Sequence, residues 1–372
     1  YKNIGGIKMK KIRIALFIII PITAIVLIIT AVFASRTKKD DTSNKTTKNE
    51  PKVTKEKVVD TKETVSVLTG MPESKAEADR RPYAIMTENT KDAIPQYGLN
   101  SSSLIYECPV EGGITRLMAI YESTDGLDRI GNVRSCRPYF PIIASEYDAV
   151  YVHYGQSAEG KAVLDSGIVD ELNGLSGVGN KVFYRSSDKK APHNAYTSAA
   201  GLKAGSDKMN FATTYDSSKQ QHFQFATEKE PNLLTGGTDA KKVSLYFFNN
   251  APYFTYDATT GLYNRFEFGN KQVDAVDGKQ ITVKNIILEN VTSSKYNENK
   301  GTLNLGVVGS GVGKYITNGK CIDIKWKKDS EKAMTTYFDV AGKKIILNPG
   351  RTWVSLIEEQ YADRNSISAT AE

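Results

Sequence analysis

The feature that most constrains this chain is a run without charge from Ile14 to Ala34, IALFIIIPITAIVLIITAVFA. A helix needs about 20 apolar residues to cross a bilayer, so the run predicts a single transmembrane anchor over 9–35. Lys10, Lys11 and Arg13 precede it and place its N-terminal end in the cytoplasm. Arg36, Lys38 and Lys39 follow it, so the charge asymmetry is weak. The alternative is a cleaved signal peptide ending near Val32–Ala34, but such leaders carry an apolar core of about 7–15 residues. Both readings put the rest of the chain outside the cytoplasm. Residues 1–8 read as an upstream segment translated ahead of Met9 and are set apart from the fold.

Residues 36–66 are polar and charged, with few large apolar side chains. Such a stretch cannot bury enough surface to offset its ordering entropy, so it is expected to be a disordered linker. Charge separates it from the body. The first 66 residues hold fourteen basic and six acidic side chains, a surplus of eight, while the whole chain is +7. The remainder is therefore −1. The basic character belongs to the anchor and stalk, which argues against nucleic acid as a partner.

The fold class expected is α+β, preceded by the transmembrane helix. A mixed α/β domain spans 67–228, an antiparallel all-β domain spans 229–360, and 361–372 form a flexible tail. In the first part, LIYECPV and ITRLMAIYES read as strands around the EGG turn at 111–113, and DAVYVHYG as a buried strand. Ser157 is an N-cap candidate, and Thr197 or Ser198 another. In the second part, strand-like runs follow one another from 243 onward with no helix signal. Asn318-Gly319 marks a hairpin. GSGVG at 309–313 has no helix after it and reads as a turn rather than a phosphate loop. The three cysteines, Cys108, Cys136 and Cys321, have no CxxC spacing, so no metal site is expected. Nothing in the sequence implies a cofactor.

Several motifs together carry a resemblance. YECPVEGGITRLMAIYES, IGNVRSCRPYF, EYDAVYVHYG and APHNAYTS, with YDATTGLYNRF, GKYITNGKCIDIKWKK and LNPGRTWV farther on, resemble the YerB-like family. That family is one of bacterial lipoproteins by name, with N- and C-terminal domains of unknown function. The resemblance covers about residues 67–358 and implies an outward-facing cell-envelope protein. It supplies no reaction. Family members often carry a lipid-modified cysteine, which is missing from the end of this apolar run, so a transmembrane helix takes its place. The family usually has alanine where Cys108 and Cys136 stand. The paired change implies a disulfide between these two, with Cys321 left as a lone thiol; the alternative is two independent buried thiols.

The polar residues of these motifs are the site candidates. His153 ends a strand, where open α/β sheets place binding crevices. His193 lies in the APHNAY loop beside Asn194. Either is suited to acid–base work near neutral pH, or to a structural hydrogen bond. Glu107 and Glu111 are expected on one side of a strand, as an acid–base pair or as partners of Arg116. His222 lies outside the motifs and reads as a surface residue. Arg134 and Arg137 flank Ser135 just before Pro138, with the helix start and the Ser135 N-cap expected there. Cations are disfavoured at a helix N-terminus, so they need either an anionic ligand or the carboxylates Glu107 and Glu111.

Two functions stay open. One is a membrane-anchored envelope module that binds an anionic wall polymer or peptidoglycan through Arg134, Arg137 and Arg116, with Ser135, Glu107 and Asn194 in the site. The other is a wall-processing enzyme using His153 or His193 with Glu111.

Overall fold

Strand-forming runs dominate the body, and their period of two sorts side chains onto opposite faces of one large sheet. A computed structural model describes residues 63–216, 222–296 and 301–371. The segment 1–8, the anchor expected at 9–35 and most of the linker lie outside the described residues. Among the described residues no helix is long and apolar enough to cross a membrane.

The central sheet takes eleven strands in chain order: Tyr83–Asn89 (β1), Leu104–Pro109 (β2), Thr115–Tyr121 (β3), Val150–His153 (β4), Glu171–Asn173 (β5), Thr238–Asp239 (β6), Asn285–Val291 (β7), Gly309–Thr317 (β8), Lys320–Lys328 (β9), Thr336–Asp339 (β10) and Thr352–Glu358 (β11). Across the sheet the order is β6, β9, β8, β7, β11, β2, β3, β1, β4, β5, with β10 also pairing with β9. Strands β2 and β11 run parallel, as do β11 and β7, β1 and β4, and β4 and β5. Alternation along β1 to β3 is strict. Ala84, Met86, Leu104, Tyr106, Cys108, Met118 and Ile120 face one core. Ile85, Ile105, Leu117, Ala119 and Tyr121 face the other.

Each face has its own cover. The short helix Tyr139–Ala144 lies over the first, with all six of its residues buried. A second sheet lies over the other face and brings Val243, Phe254 and Tyr263 into that core. With both faces covered, the central strands read as nearly unbroken apolar runs.

Five expectations are corrected. The boundary at 228/229 does not separate two sheets, because β7 and β11 from the C-terminal part are joined to β2 from the N-terminal part. The described residues form one compact unit. For the same reason the C-terminal part is not purely antiparallel: β11 pairs in parallel with both its neighbours. The tail 361–372 is not a loose end. Ser366–Ser368 pairs with Lys242–Ser244, setting Ile367 across from the buried Val243. The linker is shorter than expected, since Glu63–Val65 pairs with Pro72–Ser74. GSGVG is the start of β8, not a turn. Its glycines let neighbours approach: a Cβ on Gly313 would lie 2.1 Å from the Leu288 carbonyl oxygen.

The cysteines are also corrected. All three are free and buried. Cys108 stands opposite Arg116 across β2 and β3. Cys136 turns toward the Gly160 backbone, and its thiol lies 3.4 Å from the Arg137 carbonyl oxygen. Both belong to the same apolar core, where a thiol serves as a small hydrophobe and needs no bridge. Burial pushes the Cys136 thiol up to about 12, which suppresses the thiolate that oxidation requires. Unfolding the protein without reductant should therefore expose three alkylatable thiols per chain, counted by mass spectrometry; a bridge would leave one.

Glu289, on β7, points into the first core and accepts a hydrogen bond from the Tyr337 hydroxyl. Burial raises its pKa from 4.5 to about 7. The folded state then holds a proton that the unfolded state releases between those values. This stabilisation is full below about 4.5 and is lost as pH rises through about 7. Glu289→Gln should remove that loss. Relative to the native chain it should gain up to about 1.4 kcal/mol per pH unit across the window, read from urea midpoints at pH 5 and pH 8.

Candidate functional site

The segment 130–136 is threaded between two sets of backbone partners. Glu88 N–H donates to the Asn132 carbonyl at 2.9 Å, Arg134 N–H to Met86 at 3.1 Å, and Val133 N–H to Ala195 at 2.7 Å. Tyr154 N–H donates to the Arg134 carbonyl at 3.0 Å. These bonds hold the RSCRP motif beside β1 and bring the APHNAY loop against it.

The first polar cluster centres on Glu88, which the sequence reading missed. Glu88 stands opposite Arg116 in the register of β1 and β3. Its carboxylate is only 3% exposed, and its Oε1 lies 2.7 Å from His193 Nδ1. Thr90 Oγ1 donates to the same oxygen at 3.0 Å. Arg134 Nε lies 3.9 Å from Glu88 Oε2, and Asp92 lies 3.9 Å from His193 Nε2. Arg134 Nη1 donates to the Pro192 carbonyl at 3.2 Å. The Asn132 side-chain amide donates to the His193 carbonyl and, at 3.0 Å, to Tyr196 Oη. The strand pattern held the signal for Glu88, since it lies two residues after Met86 and so shares its face.

The second cluster centres on Glu111. The turn Glu111–Gly113 needs left-handed backbone at Gly112 (φ 77°) and Gly113 (φ 70°). Asn249 anchors it, its N–H donating to the Gly113 carbonyl at 2.8 Å. Arg137 Nε donates to Glu111 Oε2 at 2.6 Å, and its Nη2 donates to Oε1. Arg116 Nη2 lies 3.6 Å from Glu111, and Arg116 Nη1 donates to the Ser135 carbonyl at 2.7 Å. Burial and the Arg134 charge lower the Arg116 pKa to about 10. Burial also lowers that of Arg137.

The candidates therefore separate. Arg137 and Arg116 pair with Glu111 inside the protein. Glu107 does not join them: alternation turns it to the opposite face, where both its oxygens meet Arg265 at 2.9 and 3.0 Å. The turn after β2 breaks the alternation that would have kept Glu107 and Glu111 together. Ser135 is not an N-cap. Its hydroxyl donates to the Tyr154 carbonyl at 3.1 Å, and the helix begins at Tyr139 with Pro138 before it.

His153 does end β4, but it is fully buried, with Nδ1 2.8 Å from the Gly155 carbonyl and Nε2 2.5 Å from Glu171. Neither Glu111 nor His193 is among its hydrogen-bond partners. Asn194 holds its own loop, donating to Ser186 O and accepting from Arg185. His222 is not a surface residue: its side chain is 3% exposed and lies 2.7 Å from Glu146. Lys328 and Thr335 N–H reach the same carboxylate at 2.9 and 2.7 Å. Burial works to raise the Glu146 pKa, but the bonds from His222 and Thr335 and the charge of Lys328 hold it below its ordinary value.

The arrangement defines a class of two-part proteins whose sequence halves share one central sheet. Residues 68–212 match the N-terminal domain, and 243–354 the C-terminal domain, of the protein family of unknown function DUF3048. The chain belongs to that family. It is 29% identical over 325 residues to the protein named "Putative lipoprotein YerB" of Bacillus subtilis (strain 168), covering 84% of this chain and 92% of that one. The crystal structure of the YerB protein from Bacillus subtilis superposes with a TM-score of 0.72 at 27% identity, covering 82% of this chain and 99% of that one.

Proposed function

We propose that this protein is a membrane-attached, extracytoplasmic envelope protein that binds an anionic group of the cell wall at Arg134, beside His193. The apolar run 14–34 and the lipoprotein name of the Bacillus relative support the location. The state of Arg134 carries the binding reading. Arg137 and Arg116 are 10% and 5% exposed, and both face Glu111. Arg134 keeps 20% of its side-chain surface and approaches a carboxylate only to 3.9 Å. A guanidinium has five N–H donors, and the main-chain carbonyl of Pro192 takes up one nitrogen of this group.

A second reading rests on the 2.7 Å contact between the buried Glu88 and His193 Nδ1. A carboxylate that orients an imidazole is the arrangement of a general base. Such an acid–base pair would be Glu88 and His193, with Glu111 engaged elsewhere.

Retention of the protein on purified cell-wall sacculi separates these roles. Arg134→Ala should weaken retention by about 1.5–3 kcal/mol, the worth of a charge-assisted hydrogen bond, while its thermal unfolding stays near that of the native chain. Arg137→Ala should instead lower the unfolding temperature, because it strips Glu111 of its partner. Equal retention of native and Arg134→Ala protein rejects the binding site. Soluble wall fragments released by the native chain and not by His193→Gln would favour the acid–base reading.

A further inference from the structure

Strand β9 has an interrupted outer edge. On that edge β6 stops opposite Cys321 and β10 stops opposite Ile324, so neither strand places a residue opposite Ile322 or Asp323. At the rise of a strand this gap is about 7 Å long. Backbone groups of successive residues turn to opposite edges of a strand. The Gly319 carbonyl accepts from Ala240 N–H, next to β6, at 2.8 Å, so the odd-numbered residues of β9 turn to the outer edge. Asp323 therefore presents its N–H and C=O to the gap. On β10, Asp339 N–H donates away from β9, to the Lys343 carbonyl at 2.8 Å. The chain then turns, with Gly342 N–H donating to the Asp339 carbonyl at 3.0 Å, and leaves the gap open.

Two cavities meet at the gap. The larger, about 940 Å³, is lined by Phe225, Ile322 and Ile345, which pack against the first core. The smaller, about 720 Å³, is lined by Leu288 and Ile367, which belong to the second. Thr238, Cys321, Asp323 and Val340 line both. The larger cavity carries as many carboxylates (Glu230, Asp323, Asp339) as ammonium groups (Lys314, Lys343, Lys344), so a polymer of one sign meets as much repulsion as attraction there. An acyl chain offers nothing to the Asp323 backbone. A peptide brings a donor and an acceptor on every residue, and an open sheet edge is where extended peptides add.

We infer that the gap binds a short peptide, extended and antiparallel to β9, through a dipeptide unit with two apolar side chains. Its first residue stands opposite Asp323 and pairs with the Asp323 backbone. Residues opposite one another share a face of the sheet, so this side chain lies on the face of Cys321 and enters the smaller cavity. The second residue stands opposite Ile322 and enters the larger. β6 and β10 occupy the same line on either side, so the guest chain bends away beyond its dipeptide unit. The long straight edge strand of a folded protein does not fit. The site is independent of Arg134 and His193.

Saturation-transfer difference NMR on the full chain tests it with three probes: acetyl-Gly-Val-Val-Gly-amide, the same peptide N-methylated on its first valine, and acetyl-tetraglycine-amide. The valine peptide should bind about two- to tenfold tighter than its N-methyl form, the worth of one neutral hydrogen bond. It should bind about tenfold or more tighter than the glycine peptide, which fills neither cavity. Asp323→Pro removes a backbone N–H that faces away from β8, a position at which an edge strand tolerates proline. It should weaken binding of the valine peptide at least to the level of the N-methyl form. Asp323→Ala keeps that N–H and loses only the exposed partner of Lys314, so it should bind as the native chain does. If Asp323→Pro does not fold, the three probes on the native chain decide alone. Equal binding of the valine peptide and its N-methyl form overturns the strand pairing. No binding of the valine peptide overturns the site, as does a loss in Asp323→Ala as large as that in Asp323→Pro.

Discussion

Arg265 ties the two sequence halves together. Its guanidinium is fully buried and donates to Glu107 on β2 and, at 2.7 Å, to Glu267 two residues along its own strand. It lies 4.4 Å from the Trp353 ring centre and 4.7 Å from that of Phe254. Trp353 on β11 returns a hydrogen bond to Glu107 at 3.2 Å. One cation thus fixes the central sheet, its parallel strand β11 and the second sheet at a single point. Burial pushes the Glu107 carboxyl above its ordinary range, against the pull of Arg265. Breaking such a pair from one side leaves an uncompensated buried charge and costs about 3–5 kcal/mol.

This anchor also shapes the other face of the sheet. Alternation turns Glu107 to the face of Arg265, so the arginines of the RSCRP motif meet other partners on their own face. The turn at Glu111–Gly113 supplies one carboxylate, held in place from the second sheet by Asn249. That carboxylate takes up Arg137 and approaches Arg116. Arg134 is left beside Glu88 at a distance that forms no hydrogen bond.

Much of the local structure was legible. The strands of the first half, the helix start just past Arg137 and the caps at Ser157 and Ser198 follow from periodicity and side-chain chemistry that act over a few residues. The proposed site was legible only in part. Arg134 and His193 were recognisable because charged and titratable groups are costly to place without a role. Glu88 was hidden in an apolar strand, and Asn132 in a backbone-like stretch. The reading of Glu107 with Glu111 failed at one turn, where two glycines reset the alternation. His222 was misplaced because nothing near it in sequence announces Glu146.

The sequence by itself determined that strands run through both halves, the two faces of those strands and the residues that bear charge. It also determined the family, through motifs distributed along both halves. Only the tertiary structure decided that the halves share one sheet, that Glu107 and Glu111 serve different arginines, and that Cys108 and Cys136 remain separate thiols. The physical reason is range. A period of two, a cap or a turn is set by neighbours a few residues apart. The order of strands in a sheet brings Glu107 to Arg265 and Glu88 to His193 across many residues of intervening chain, and no local pattern records it.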